Sequence, residues 1–469
     1  MNKNLHIVLL TILRIISSFF LIFMLSRFLD KSTFGMYNYF IAFSTISLTI
    51  LFNGFTPIYL RNKVINNKPE FENKNLYNQI LFFYFILLIL FNFIFLGIEN
   101  IKSVNIELKL LNIFLFTGFF HYIIQQEIRS QQKFLVLTLI LFLERFLFLL
   151  LIIFIFLNKI DINIIYLYVI FYVIFTVLIL FTSKNIKKFI IFKLDSKIFV
   201  NFKNLILSYF KNTFVIITNN LANQSFLIFI IGFMFSLEKT ADIAIAFQLL
   251  SIIIFSVIWV ELILPIKYMN LIRNNNTLDL KLFFKNKVTK YFLIIILFSA
   301  LYIEILDRTN IIEILFTGKY KNSINEIFIL SIVAVSQCFE IFINWYLLSI
   351  KRETTLMKIS LFKLVCFLSF LSSGNYSLIL IGFSFSFVCY FVLGLMQMKK
   401  HILTSDLVMI FYFYFIFTAL SISNYLSYEN LSNFVLLILI FSSIIYILIN
   451  IKIYLNEIKK LFNLNGNNK

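Results

Sequence analysis

Charged residues are scarce in this 469-residue chain: Asp, Glu, Lys and Arg make up 13% of it, about half the share found in soluble domains. A soluble core of this size cannot absorb many helices that are apolar on every side, so the shortage excludes an ordinary globular protein. The ten glycines are dispersed and no Gly-x-x-x-x-Gly-Lys run occurs, which excludes a phosphate-cradling nucleotide loop of that kind. Cys338, Cys366 and Cys389 fall in three different apolar segments. They form neither a disulfide nor a metal pattern and read as small core residues. His6, His121 and His401 are scattered, and no cofactor is implied.

What is abundant is apolar: 61% of residues are hydrophobic and the mean hydropathy is +0.94. Runs of about 20 apolar residues, the length that crosses a ~30 Å hydrocarbon layer, recur from end to end. Stretches such as "LFFYFILLILFNFIFLGI" (81–98) lack the alternation of barrel strands. Backbone in lipid must satisfy its hydrogen bonds internally, so continuous apolar runs mean helices. The expected fold class is therefore an all-α polytopic membrane protein of about fourteen spans. They lie near 7–28, 34–58, 78–98, 108–128, 134–157, 162–183, 213–235, 240–265, 289–307, 324–349, 356–372, 376–397, 405–424 and 431–451. The first run, from Ile7, is too long for a cleavable leader and lacks a small-residue cleavage site.

The formal net charge of +19 sets the orientation. With the N-terminus inside, the inner loops and termini hold roughly three times as many Lys and Arg as the outer loops, as the positive-inside rule demands. Both termini are expected to be cytoplasmic. The basic balance reads as topology and as attraction to anionic membrane lipids, not as nucleic-acid binding. The longest inner stretch, "SKNIKKFIIFKLDSKIFVNFKNLILSYFKNT" (183–213), carries seven lysines and is expected to lie on the inner surface as an amphipathic connector.

A shift of 208 residues matches "LDKS" at 29–32 with "LEKT" at 237–240, Pro57-Ile58 with Pro265-Ile266, and Asn62 with Asn270. Only three prolines exist in the chain, so two in register carry information. The shift spans six helices, an even number, and the two copies share one orientation: a parallel repeat about an axis along the membrane normal. The organisation expected is an N-lobe at 1–183 (helices 1–6), a basic cytoplasmic linker at 184–212 and a C-lobe at 213–400 (helices 7–12). Helices 13–14 and a tail follow at 401–469. The polar stretch at 29–33 is then the outer turn of a hairpin used once per lobe. Asp30 or Ser32 is expected to cap the helix that follows it, with Glu238 or Thr240 in the same role in the second copy.

At these residues the chain resembles the Wzx-type polysaccharide-unit flippases, in the exporter superfamily that also holds multidrug-and-toxin exporters and the lipid II flippase. The family pattern Ala-Arg-x-Leu, a polar turn, then Phe-Gly-x-Tyr stands here as Ser26-Arg27-Phe28-Leu29 and Phe34-Gly35-Met36-Tyr37. A second family-like stretch, 315–331, is carried by Leu315, Phe316, Gly318, Tyr320 and Leu330, and Arg61 also fits. One departure stands out. Relatives often carry an Asp-Arg pair in the seventh helix, whereas "TNNLANQSFLIF" (218–229) offers neutral amides. The resemblance implies flipping of undecaprenyl-pyrophosphate-linked oligosaccharide units across a bacterial inner membrane, for O-antigen or another surface polysaccharide. It also implies a polymerase as partner. A sugar chain and a diphosphate do not enter hydrocarbon cheaply, and two lobes rocking about a central polar site supply alternating access.

Ionisable residues inside spans are costly and are candidates for function. Arg14 is a candidate ligand for the diphosphate, with Asn219, Asn220, Asn223 and Gln224, spaced as one helical stripe, meeting sugar hydroxyls. Arg145 is a candidate to face the cavity and contact the substrate, with a structural ion pair as its alternative. The competing roles are snorkelling of Arg14 to inner headgroups and helix–helix hydrogen bonding by the amides. Glu144 adjoins Arg145 and cannot face it along one helix, so each is expected to find a partner elsewhere. Glu144 and Glu340 are candidates for coupling to an ion gradient, with a structural ion pair as the alternative, and Lys363 is a possible partner for Glu340. A small-molecule exporter of the same superfamily is the main rival reading. A membrane-embedded glycan enzyme is a lesser one, because the outer connections near 99–107 and 308–323 are short. No enzymatic activity is expected.

Overall fold

Uninterrupted apolar sequence makes the longest helices. Phe134–Leu157 contains neither glycine nor proline, starts after Lys133 and stops at Asn158, just before Lys159 turns to a φ of 51°. The computed structural model describes residues 3–52, 70–99, 108–130, 133–182, 223–254, 288–309, 311–316, 318–321, 323–350, 352–399, 404–428 and 431–442, with a few single residues between them. In order the helices are α1 (Lys3–Phe28), α2 (Lys31–Phe52), α3 (Glu70–Glu99), α4 (Leu108–Ser130), α5 (Phe134–Leu157), α6 (Ile164–Thr182) and α7 (Gln224–Met234). They continue with α8 (237–254), α9 (Thr289–Arg308), α10 (Ile311–Phe316), α11 (Ser323–Ser349), α12 (Glu353–Leu371), α13 (Tyr376–Met398) and α14 (Thr404–Tyr425), then α15 (Leu431–Ser442).

Among the described residues there is no strand. Nine helices there are long and apolar enough to cross a membrane, and shorter apolar stretches lie at Asn78–Phe93, Gln224–Met234 and Leu431–Ser442. Large apolar side chains such as Phe93, Phe154, Ile174 and Phe181 are exposed on the helix surfaces, the pattern of helices whose solvent is lipid. The protein is an all-α polytopic membrane protein.

The chain forms two units, neither of them a single stretch of sequence. One comprises Met1–Gln248, Glu313–Tyr320 and Met357–Ser386; the other comprises Leu249–Ile312, Lys321–Leu356 and Phe387–Lys469. In the second unit α9, α11 and α14 pack on one another, and hydroxyls bridge the backbones as they do where lipid offers no competing partner. Ser331 Oγ lies 3.0 Å from Ser421 Oγ, Ser336 Oγ lies 2.5 Å from the Tyr414 hydroxyl, and the Tyr302 hydroxyl donates to the Leu249 carbonyl over 3.0 Å.

In the first unit α1 lies along α5, α4 along α6, and α2 along α7. Asp30 caps α2, its carboxylate accepting from the Thr33 amide at 2.9 Å. In the second hairpin the cap is Ser236, whose hydroxyl accepts from the Lys239 amide at 3.3 Å, not Glu238 or Thr240. The helix there starts two residues earlier than the 208-residue register expects, because a serine was available upstream to take the orphan amide. The seventh expected span also differs. Asn223 has extended backbone (φ −109°, ψ 177°) and accepts from the Phe226 amide at 3.0 Å, so α7 begins at Gln224. Pro57, Pro265, Asn62, Asn270, Arg61 and most of the 184–212 linker lie outside the described residues.

The α1–α2 turn meets the start of α8 closely. A Cβ on Gly35 would stand 1.9 Å from the Leu237 carbonyl oxygen, so glycine is what permits this approach. Beside it the Lys31 ammonium lies 2.8 Å from an Asp242 carboxylate oxygen and 5.6 Å from the centre of the Tyr320 ring. Tyr320 is fully buried, edge-on to Phe34 and Phe316 at 6.0 Å, and follows Gly318, whose φ of +71° suits glycine. The family-motif residues Phe34, Gly35, Gly318 and Tyr320 thus build one packed corner. Arg27 is exposed nearby, its guanidinium 5.8 Å from the Phe23 ring centre.

Candidate functional site: an ionic cluster within the helices

Four ionisable side chains from three helices converge inside the first unit. His121 on α4 points Nε2 at Glu144 Oε2 on α5, 3.4 Å away. Its Nδ1 lies 3.3 Å from the hydroxyl of Thr176 on α6. Arg14 on α1 is within electrostatic range of both Glu144 and Arg145. His121, Glu144 and Thr176 are all buried.

Helical spacing explains the convergence. Tyr168, Tyr172 and Thr176 are four residues apart and share one face of α6. That face meets Phe114 and His121, two turns apart on α4. The Phe114 ring stacks on Tyr168 and Tyr172, and the His121 ring lies 5.0 Å from Tyr172. Tyr37 of α2 closes the set edge-on to Tyr168 at 5.8 Å, and Arg145 acts electrostatically on Tyr37, Tyr168 and Tyr172. The cluster lies near the middle of its helices. Glu144 is ten residues into α5, about 15 Å along it at 1.5 Å per residue.

Charge at that depth is tolerated only when paired. Here two guanidiniums face one carboxylate, so the cluster is positive even with His121 neutral. Tyrosine hydroxyls and a threonine surround it, and the chemistry on offer is recognition of an anion.

Of the residues singled out from the sequence, the structure brings together Arg14, Glu144, Arg145 and Tyr37. As expected, Glu144 finds its partner off its own helix, in His121. Asn223 serves as the α7 cap, Gln224 is the first residue of α7, and Asn219 and Asn220 lie outside the described residues. The extended backbone at Asn223 sets that residue just outside the helix that starts at Gln224. Glu340 is half-buried on α11 in the second unit, whereas Lys363 belongs to the first. Sequence reasoning missed His121 and Thr176. The available signal was position: His121 is mid-span in 108–130, where any ionisable residue needs a reason.

No protein-family model and no curated protein sequence matches the chain. Solved structures do match. The lipid II flippase MurJ, in an inward closed conformation, superposes with a TM-score of 0.65 at 14% identity, covering 94% of this chain and 98% of that one. A multidrug resistance MATE family transporter of the MOP superfamily matches at 0.60 in its inward-facing conformation, with 14% identity over 87% of this chain and 99% of that one. An outward-facing MATE transporter of the same superfamily matches at 0.52, with 16% identity over 87% and 97%. At such identities the likeness is one of fold: this chain has the helical architecture of the MOP-superfamily transporters and flippases.

Proposed function

We propose that the protein is a Wzx-type flippase that carries lipid-linked oligosaccharide units, joined to polyprenol through a diphosphate, from the cytoplasmic to the outer leaflet of the bacterial inner membrane. Its termini are cytoplasmic, and it moves its cargo without altering it. The observation that carries this reading is the pair of guanidiniums, Arg14 and Arg145, set against the carboxylate of Glu144 inside a fold that a lipid II flippase shares. A diphosphate is the part of such a substrate that hydrocarbon rejects most strongly. Guanidinium is the side chain that binds it best, through paired donors in a planar fork. The acceptor-rich tyrosine and threonine lining suits sugar hydroxyls, and a polysaccharide polymerase is the expected partner downstream.

The test is a deletion strain analysed for lipid-linked oligosaccharide and surface polysaccharide together. Completed units accumulating on the cytoplasmic face, with surface glycan lost, is the expected result. Units reaching the outer face but staying unpolymerised would point to a polymerase instead. Normal levels of both would favour a small-molecule exporter of the kind represented by the MATE structures.

A further inference from the structure

Both ring nitrogens of His121 are engaged, and by groups of different character. An ionised Glu144 accepts only, so it selects the ring form in which the nitrogen facing it, Nε2, carries a hydrogen. Thr176 is a hydroxyl, able to donate to a bare Nδ1 or to turn and accept from a protonated one. A buried polar group left unsatisfied costs about 1–3 kcal/mol, and here neither protonation state of the ring leaves one. An imidazole held only for packing has no need of a partner that works both ways.

The surroundings make the charge of that ring consequential. Glu144 faces it from α5 and Tyr172 from α6; Arg145, Tyr168 of α6 and Tyr37 of α2 act electrostatically on Glu144, while Arg14 of α1 acts on Glu144 and Arg145. With His121 neutral, one carboxylate stands against two guanidiniums. With it protonated, Glu144 is drawn into a full ion pair and the guanidiniums lose part of their internal counter-charge.

We propose that His121, held between Glu144 and Thr176, is a proton-binding site whose occupancy sets the affinity of Arg14 and Arg145 for an anionic diphosphate. This rests on the diphosphate reading above. The coupling is reciprocal by thermodynamic necessity: if the proton strengthens anion binding, the anion strengthens proton binding by the same factor.

The experiment uses the full chain in lipid nanodiscs and a short polyprenyl chain linked through diphosphate to N-acetylglucosamine, whose diester phosphates do not titrate between pH 5.5 and 8.5. Wild-type affinity should fall at least about fivefold across that interval, within the usual range of coupled sites. Binding near neutral pH should draw up protons, read with a pH dye in weak buffer. His121→Asn keeps polar atoms at the ring positions and should abolish both the pH dependence and the uptake while still binding the probe. Thr176→Val removes the acceptor for a protonated Nδ1 and should move the midpoint to lower pH. Binding that is insensitive to pH in the wild type, or equally sensitive in His121→Asn, overturns the proton switch and leaves the flippase reading standing. No binding at any pH overturns the diphosphate reading and the switch with it.

Discussion

Lys31 and Asp242 form an ion pair, Nζ to carboxylate oxygen 2.8 Å, that joins the first turn of α2 to the second turn of α8. Asp242 is almost wholly buried and Lys31 about one-fifth exposed. The 208-residue register pairs Lys31 with Lys239, whose ammonium rests 4.2 Å from the centre of the Tyr376 ring. Both matched lysines lie over a tyrosine ring, and Lys31 adds the ion pair to Asp242.

Removing one member of the ion pair leaves the other facing a buried corner. Asp242→Asn and Lys31→Met should each lower the unfolding temperature in detergent, and the double variant should lose less than the sum. A coupling energy of roughly 0.5–3 kcal/mol is the range for residues in direct contact. Additive losses in the double-mutant cycle would show that the pair contributes geometry only.

Gly35 and Gly318 separate two reasons for glycine. Gly35 is helical and has the Leu237 carbonyl where a Cβ would go, so Gly35→Ala must push the α8 turn outward. Overpacking of this kind costs typically 1–3 kcal/mol. Gly318 has open space around it but a φ of +71°, so Gly318→Ala should lose about 1–2 kcal/mol from backbone strain alone. Replacing Gly318 with Asn, which tolerates that conformation, should recover most of the loss. Asn at Gly35 should recover none. Thermal unfolding of the four variants distinguishes the two mechanisms.

Much of the architecture was legible because lipid imposes simple rules. The apolar runs gave 134–157 to the residue, since Lys133 and Asn158 bracket it. They gave 376–397 and 405–424 to within a residue, because polar turns stand on both sides. The site was half legible. Arg14, Glu144 and Arg145 announce themselves as charges in apolar sequence. Their convergence depends on which helices pack together, and no local periodicity encodes that α4 lies against α6. His121 went unweighted for this reason: it is one ring among many aromatics until Glu144 and Thr176 are seen on either side. The cap at Ser236 and the break at Asn223 were missed for another. Side chains that compete for backbone amides act over three residues, below the resolution of a hydropathy pattern.

Asp30 lies in the exposed turn, and its carboxyl is held below the usual carboxylate range, first by the Thr33 side chain and then by the Thr33 amide. A folded-state affinity for protons below that of the unfolded chain means that this contribution is present above about pH 4 and is lost as the pH falls through the depressed value. Asp30→Ala should therefore destabilise by about 1 kcal/mol at neutral pH, the usual worth of an N-cap. Asp30→Asn, still an acceptor, should cost less. The difference between wild type and Asp30→Ala should shrink in acid. An Asp30→Ala penalty that is constant from pH 3 to pH 7 would show that the carboxylate is not the capping species.

Among the described residues Glu144 is the carboxylate that acts on Arg14 and Arg145, and Glu144→Gln removes that counter-charge. Breaking a buried pair by removing one partner costs about 3–5 kcal/mol, so a large fall in stability is expected. Pairing the change with Arg145→Met should restore much of it, because it removes a charge that has lost its counter-ion. Measured by unfolding in detergent, a double variant no more stable than Glu144→Gln would mean that Glu144 serves His121 alone.

Arg14 has two competing explanations that one substitution separates. If it only snorkels toward inner headgroups, a long flexible cation is enough, and Arg14→Lys should support normal surface polysaccharide. If it grips a diphosphate, lysine offers a point charge where a planar fork is needed. Arg14→Lys should then lower flux on the order of tenfold, in keeping with the loss of one charge-assisted hydrogen bond, and Arg14→Gln should abolish it. The readout is lipid-linked oligosaccharide trapped on the cytoplasmic face, in strains matched for the amount of protein in the membrane. The geometry favours the second outcome. Arg14 shares its helix depth with Glu144 and Arg145 and feels both, whereas a snorkelling side chain would turn away from an interior carboxylate toward the inner surface.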